Sequence, residues 1–522
     1  YYKKLEDIVA NLDGHFFLVI VDRLDKKIYF ITDHIGLINI YEHKIDGKIF
    51  ISSSALSLSK TFSVTLNSQA VCQFLRTGSI SNSDTIYNEI NLLEPSTIYS
   101  YDFANGNYQI HKKEYWKAPT EIDENSSFKD TCKRFSEILE NRVSLFANQN
   151  IISDFTGGFD SRLVSSSLMN ANSSSNTSII TFVFGPSKSK EVKLVKEISQ
   201  KLNIKNVHLN LPESWIRKFP EYIIRSLNIC DGEENAFNYA PILFANESKA
   251  KYFTFSVNGL GGELYRDFWW VQELFFKKKP ANIRRLVTTR VLQYEYDFSI
   301  FKSNWRQSLE SVVNVYEKNY MLTNSDMQNT YNTLQIDNIY LRQKIRRWAG
   351  RTISSSNQII NTIAPLLFKD CLEAGMVVPP KYKRNGRFVR AVIENANPFF
   401  AEMKMLNGIP CKPMRIDNFY EFFPAFNEMF QKGLRKISQN LLNKTIYLDK
   451  SLNYNQASWF EALKNQFCED KMFNQLINLN IIDRKKILPF VRKAGSPEFP
   501  FFSQLGNMIT LELRMQQDKI DV

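Results

Sequence analysis

The chain has 522 residues, 43% of them hydrophobic and 23% charged, a balance that excludes a disordered or fibrous chain and predicts several domains. Its 66 Lys and Arg against 54 Asp and Glu leave a formal net charge of +12. That excess admits nucleic acid, an anionic surface or a phosphorylated substrate, but the signs are interspersed. Clusters such as Lys277-Lys278-Lys279, and Arg342, Lys344, Arg346 and Arg347, therefore read as solvated faces, with an anion site as the alternative.

Residues 1–118 read as β-rich. Phe16 to Val21 is a buried-strand run, and 27–32 and 48–52 alternate apolar with polar residues. Asp25-Lys26 and Asp46-Gly47 separate these runs as hairpin turns. A short helix is expected over 67–76, a strand over 97–101 and a turn at Asn105-Gly106-Asn107. Trp116 closes the region before a polar stretch at 120–127.

The period then changes. Phe128, Cys132, Phe135, Ile138, Leu139 and Val143 recur at helical spacing, with Ser126 or Ser127 as N-cap. A strand over 151–155, a Gly-rich turn and a helix over 162–169 follow. Next come a Ser/Asn-rich loop at 172–178, a strand at 179–184, a helix at 190–202 and strands at 206–211 and 252–257. Strands alternating with helices imply a parallel sheet. Beyond residue 275 the pattern is almost wholly helical, and no fixed-period repeat is present.

Six cysteines form no CxxC pair and five histidines lack metal-ligand spacing, which speaks against a zinc or redox site. No apolar run approaches the ~18 residues of a membrane span, so no membrane partner is expected. Scattered cysteines suit a reducing compartment, and a cytoplasmic location is expected.

The informative segment is Ser153-Asp154-Phe155-Thr156-Gly157-Gly158-Phe159-Asp160-Ser161-Arg162. It lies where a strand hands over to a helix. Adjacent glycines let the backbone turn tightly, and the helix start offers free N–H groups to an anion. Asp160 suits a bare phosphate poorly unless a cation intervenes, and Mg²⁺ is the natural choice. A second Gly-rich turn, Asn258-Gly259-Leu260-Gly261-Gly262-Glu263, follows strand 252–257. Ligands bind beyond the carboxyl ends of parallel strands, so both turns can face one nucleotide, with Glu263 opposite Asp160. The plainer alternatives are a capped helix entry for the first turn and a solvated carboxylate for Glu263.

The first turn resembles the PP-loop written SGGxDS, with Thr156 in place of the first Ser. The chain as a whole is similar to the asparagine synthetase family, which joins a glutaminase (Ntn-type) domain to a synthetase domain carrying SGGxDS and a later GEGxDE. The resemblance rests further on Gly14-His15-Phe16-Phe17, Asp33-His34-Ile35-Gly36, Tyr87-Asn88-Glu89-Ile90, Glu114-Tyr115-Trp116, Ala364-Pro365-Leu366-Leu367 and Val378-Pro379-Pro380. It implies an incomplete antiparallel Ntn-type domain over 1–118. An adenine nucleotide alpha hydrolase-like α/β core over 119–275 and a helical region over 276–522 would follow.

The resemblance also implies an ATP-dependent ligase that forms AMP and diphosphate. Thr156, Gly157, Gly158, Asp160 and Ser161 would hold diphosphate, and Asp160 and Glu263 would bind Mg²⁺. Phe155, Phe184, Asn258 and Gly259 would line the adenosine, with sheet core as the equal alternative for the two Phe residues. The substrate would be a small-molecule or peptide carboxylate, and the partner an amine or ammonia donor, which a partner chain can supply. An oligomer stays open, and nucleic acid is not favoured.

The sequence departs from the family at several positions. The family's nucleophilic N-terminal Cys has no counterpart, since the chain opens with Tyr1 and its first cysteine is Cys72. Glutamine hydrolysis by that route is therefore not expected, and the open sheet edges imply a partner chain or a fragment. The Glu of GEGxDE falls on Leu260, which moves no protons; Glu233, Glu234 and Tyr239 are the nearest substitutes. The family's late Lys aligns with Arg390, and Arg162 adds a cation beside the first turn; each is a candidate catalytic residue, with a surface ion pair as the alternative. Divergent relatives that close peptides or β-lactam rings share this scaffold. Two other readings stay open, a PP-loop tRNA-modifying enzyme and an inactive scaffold relative.

Overall fold

The computed structural model describes residues 2–103, 109–172, 179–271, 273–293, 295–424, 454, 456–467, 472–496 and 498–518. The expected turn at 105–107 and residues 173–178 of the expected loop 172–178 lie outside them, while Asn172 ends a helix.

The front opens on a helix that periodicity did not reveal, α1 (Tyr2–Asn11), whose Leu5 and Val9 pack on Tyr29, Ile31 and Ile98. The expected strands follow as β1 (Phe17–Asp22), β2 (Lys27–Thr32) and, after β3 (Tyr41–Ile45), a strand not expected from the pattern, β4 (Lys48–Ser52). In the β3–β4 hairpin Asp46 and Gly47 both take positive φ, +50° and +68°, as a two-residue turn between twisted strands requires. Helices α2 (Ala55–Thr61) and α3 (Ser68–Thr77) precede β5 (Ile90–Leu92), β6 (Thr97–Asp102) and β7 (Gln109–Glu114). Two antiparallel sheets result, in the orders β1-β2-β6-β7 and β4-β3-β5.

The body alternates as the pattern predicts: α4 (Phe128–Ser144), β8 (Ile151–Asp154), α5 (Phe159–Asn172), β9 (Ile180–Phe184), α6 (Lys190–Lys201), β10 (Lys205–Leu209), α7 (Trp215–Ile229), α8 (Ala236–Ala250) and β11 (Phe255–Val257). Ser127 caps α4, accepting from the Asp130 N–H. One strand escapes the pattern. β12 (Asn361–Ile363) lies inside the stretch read as wholly helical, and its three residues are too short to show a period. It joins the sheet edge beside β11. All five strands are parallel, in the order β10-β9-β8-β11-β12. The order therefore reverses beside β8, leaving a crevice between the carboxyl ends of β8 and β11.

A π-helical segment, Tyr340–Ala349, ties the body to the front. The basic group read as a solvated face is not one. Arg346 donates to Leu93 O and Ser83 Oγ, both at 2.9 Å, and Arg347 to Ile80 O at 2.8 Å. Beside it, Arg351 donates to Asp231 Oδ2 at 2.8 Å and Tyr41 Oη at 2.9 Å, while the Tyr41 hydroxyl donates to Glu233 at 2.8 Å. Arg351 and Asp231 are both buried. Removing one member of such a pair strands the other charge in a low-dielectric interior. Arg351→Ala is therefore expected to lower stability by about 3–5 kcal/mol, read as the shift of the chemical-denaturation midpoint.

Candidate functional site

The turn after β8 carries its own hydroxyl scaffold. The Thr156 N–H donates to Ser161 Oγ at 3.0 Å, the two hydroxyls lie 2.9 Å apart, and the Gly158 N–H donates to Thr156 Oγ1 at 3.3 Å. The Gly157 N–H donates to the Glu191 carboxylate at 3.3 Å, so a negative group already meets this turn. Helix α5 starts at once, directing the positive end of its dipole to the same place.

The turn after β11 meets the first one backbone to backbone. A Cβ on Gly259 would stand 2.4 Å from the Asp160 carbonyl carbon and 2.5 Å from the Ser161 nitrogen. A Cβ on Gly262 would stand 2.4 Å from Asp160 Cγ. Gly261 takes φ +87°, a conformation that disfavours a side chain. Asn258 stiffens the turn, its Oδ1 accepting from the Leu260 N–H at 3.1 Å, and its own N–H reaches Ile363 O on β12 at 3.0 Å.

Asp160 and Glu263 come together here. Each also has a partner that sequence reasoning missed. Arg266 grips both Asp160 oxygens, at 3.1 and 2.7 Å, and the Tyr340 hydroxyl donates to Glu263 at 2.7 Å. Burial first, then the neighbouring Asp160, pushes the Glu263 carboxyl above the usual range. Burial and Glu263 hold the Tyr340 hydroxyl well above its ordinary value, so it stays a proton donor. Two neighbouring carboxylates with raised repulsion are a donor set that suits Mg²⁺, which takes one or two protein carboxylates and completes its shell with phosphate oxygens and water. Arg266 supplies the positive charge between them. It lies three residues after Glu263, so its place on the second turn was readable; Tyr340, 77 residues away, left no signal.

Four further expected site residues have protein partners of their own, and for Phe155 and Phe184 sheet core is the equal expectation. Phe155 is fully buried with its ring edge-on to Phe400, 5.4 Å between centroids, so its side chain is core. Phe184, partly buried, lies 5.9 Å from the Tyr454 ring. The Arg162 guanidinium donates to Met403 O and Lys404 O, and Arg390 donates to Pro410 O and Lys412 O. Neither is the surface ion pair weighed as the alternative, because both are buried and bound to carbonyl groups.

The substitutes for Leu260 cluster away from these turns. Burial pushes the Glu234 carboxyl up to about 7, beside Thr352, Arg351, Lys344 and Cys230. Tyr239 faces Ser356 across 3.3 Å. Cysteine chemistry is quiet too: burial pushes the Cys72 and Cys132 thiols up to about 12, so neither is an activated nucleophile. A surface cavity of about 570 Å³, lined by Lys485, Lys486, Phe490 and Phe499, includes none of the site residues.

The architecture defines a mixed α/β protein with antiparallel sheets in front, a parallel five-stranded body and a helical C-terminal part. The front carries a glutamine amidotransferase domain, since residues 1–116 match the family of that description. No curated protein matches the chain in sequence. Among the described residues no helix is long and apolar enough to cross a membrane.

Two outcomes follow from this geometry. Gly259→Ala is expected to cost about 1–3 kcal/mol by forcing the turns apart, seen as a lowered melting temperature. Glu263 holds its proton more tightly folded than unfolded, so stability falls as pH rises from the ordinary glutamate value through the raised one. Glu263→Gln removes that loss. The variant is expected to melt above the parent at neutral pH, with the gap closing in melts taken down to about pH 4.

Proposed function

We propose that the chain is an asparagine-synthetase-like, PP-loop amide ligase that adenylates a carboxylate with ATP and passes the acyl group to an amine or ammonia. The observation that carries this is the meeting of two Gly-rich turns at the crevice where the sheet order reverses, with Asp160 and Glu263 side by side. Its amidotransferase front supports a nitrogen-transfer chemistry.

In the first step a carboxylate oxygen attacks the α-phosphorus, the bond to the β-phosphate oxygen breaks, and diphosphate leaves. In the second, the amine nitrogen attacks the acyl carbon, the C–N bond forms, and AMP leaves as the C–O bond breaks. Thr156, Gly157, Gly158 and Ser161 would receive the diphosphate at the start of α5, where backbone amides and the dipole favour negative charge. Asp160 and Glu263 would hold Mg²⁺, which neutralises phosphate charge when bound. Asn258 and Gly259 shape the wall on the β11 side. Release of Asp160 from Arg266, and of Gly157 from Glu191, accompanies nucleotide binding on this reading.

The domains on this proposal are an Ntn-type front over 1–118, a PP-loop core over 119–275 and a helical region over 276–522. The described cysteines are not activated, so the amine comes from a donor other than a thiolate-driven glutaminase in these residues. A tRNA substrate is disfavoured because Arg346 and Arg347 are buried against the front.

The test is release of AMP and diphosphate from Mg²⁺-ATP across a panel of carboxylates. Asp160→Asn is expected to cut AMP release roughly 100-fold or more while the melting curve stays cooperative. Undiminished AMP release by that variant would remove Asp160 from the metal role. ATP with Mg²⁺ at 100 times its Kd is expected to stabilise the native protein by about 2.7 kcal/mol, and an inert relative shows no such shift.

A further inference from the structure

The segment 403–412 forms a hairpin that lies on the first Gly-rich turn. Lys404 bridges Pro410 across it, the Met405 N–H reaches Ile409 O at 2.8 Å, and the Gly408 N–H reaches Met405 O at 2.9 Å. Gly408 takes φ +82° at the tip. The tip residue Leu406 covers Gly157: a Cβ there would stand 2.5 Å from Leu406 Cγ. Leu406 itself is 49% exposed, so its side chain is a cover open to solvent on its far side.

Two arginines hold this hairpin, one on each leg. Arg162 donates to Met403 O at 2.8 Å and to Lys404 O at 2.5 Å. Arg390 donates to Pro410 O at 2.6 Å and to Lys412 O at 3.2 Å. Arg162 is 0% exposed and its Nε has no hydrogen-bond partner, while Arg390 is 6% exposed and stacks on Phe159 at 4.7 Å. Neither makes an ion pair with a carboxylate among the described residues. Burial lowers the pKa of both arginines, and at Arg390 the neighbouring Arg162 lowers it further, while Cys411 acts the other way on each.

Buried like charges balanced by carbonyl dipoles, the Cys411 sulfur and aromatic faces, with no carboxylate, are costly, because neutral partners offset a fraction of the lost hydration. The N-terminus of α5 adds a third positive contribution beside them. Hydrogen bonds from guanidinium to an anion are about twice as strong as those to a neutral group, and its fork matches phosphate oxygens. An anion of that geometry offers both arginines a stronger acceptor than the hairpin carbonyls.

We propose that the hairpin 403–412 is a latch over the first Gly-rich turn, closed by Arg162 and Arg390 on its carbonyls and opened by a diphosphate-class anion that takes their guanidiniums. This rests on the ligase reading of the site and assigns its access control. In the closed state Leu406 covers Gly157. In the open state the anion gains two guanidiniums, and Leu406 leaves the turn.

The test is hydrogen–deuterium exchange of the full chain with inorganic diphosphate and Mg²⁺, against sodium chloride at equal ionic strength. Exchange at the Met405 and Gly408 amides is expected to rise several-fold with diphosphate and not with chloride. Leu406→Ala is expected to raise that exchange without diphosphate and to tighten diphosphate binding. Arg390→Lys is expected to weaken diphosphate binding roughly tenfold, the loss of a charged hydrogen bond. Absence of diphosphate binding overturns the latch, as does binding with hairpin exchange unchanged or slowed. An Arg390→Lys protein that loosens the hairpin but keeps full diphosphate affinity shows a structural arginine and overturns it too. AMP release with an indifferent hairpin refutes the latch alone, whereas an anion-opened hairpin with no AMP release from any carboxylate refutes the ligase alone.

Discussion

The site depends on one steric constraint, the direct backbone contact between the turns that follow β8 and β11. Gly259 and Gly262 leave no room for a Cβ against Asp160 and Ser161. That contact sets where α5 begins relative to the second turn. It therefore also sets how near Glu263 comes to Asp160, which adds to burial in raising the Glu263 pKa. The parallel sheet supplies the frame, because the strand order reverses between β8 and β11 and their two turns meet at the carboxyl ends of those neighbouring strands.

Around that contact four polar groups of the site have internal partners. Ser161 takes the Thr156 amide, Glu191 the Gly157 amide, Arg266 the Asp160 carboxylate and Tyr340 the Glu263 carboxylate. Buried polar groups are costly when unpaired, so a resting site that satisfies itself is more stable than one held ready. The same pairing sets a condition on any ligand, which must offer better partners than those it displaces. A multiply charged phosphate with a divalent cation meets that condition for an amide, two carboxylates and two guanidiniums together.

The front is joined to this site through the π-helical segment. Tyr340 at its start touches Glu263, and Arg346 and Arg347 near its end hold carbonyls of the front. π-helical segments are rare and recur at functional sites, since the extra residue per turn redirects side chains. Here one helical segment contacts both the metal-binding carboxylate candidate and the amidotransferase domain. The buried Arg351–Asp231 pair with Tyr41 adds an ionic seam beside it.

Sequence alone determined the alternation of strands and helices through β11, the hairpin turns of the front, and the two Gly-rich turns with Asp160 and Glu263. These are local properties: a period of two or 3.6 residues, a glycine where φ is positive, a carboxylate beside a helix start. Only the tertiary structure decided the rest. Three residues of β12 carry no period, yet complete the sheet edge. Arg162 reads as a cation beside the first turn, but its resting partners Met403 and Lys404 lie 241 and 242 residues away and make it a clasp on a distant hairpin. Phe155 follows a strand into core because Phe400 packs there. Such contacts depend on which distant segments the fold brings within a few ångströms, and neither periodicity nor composition encodes that.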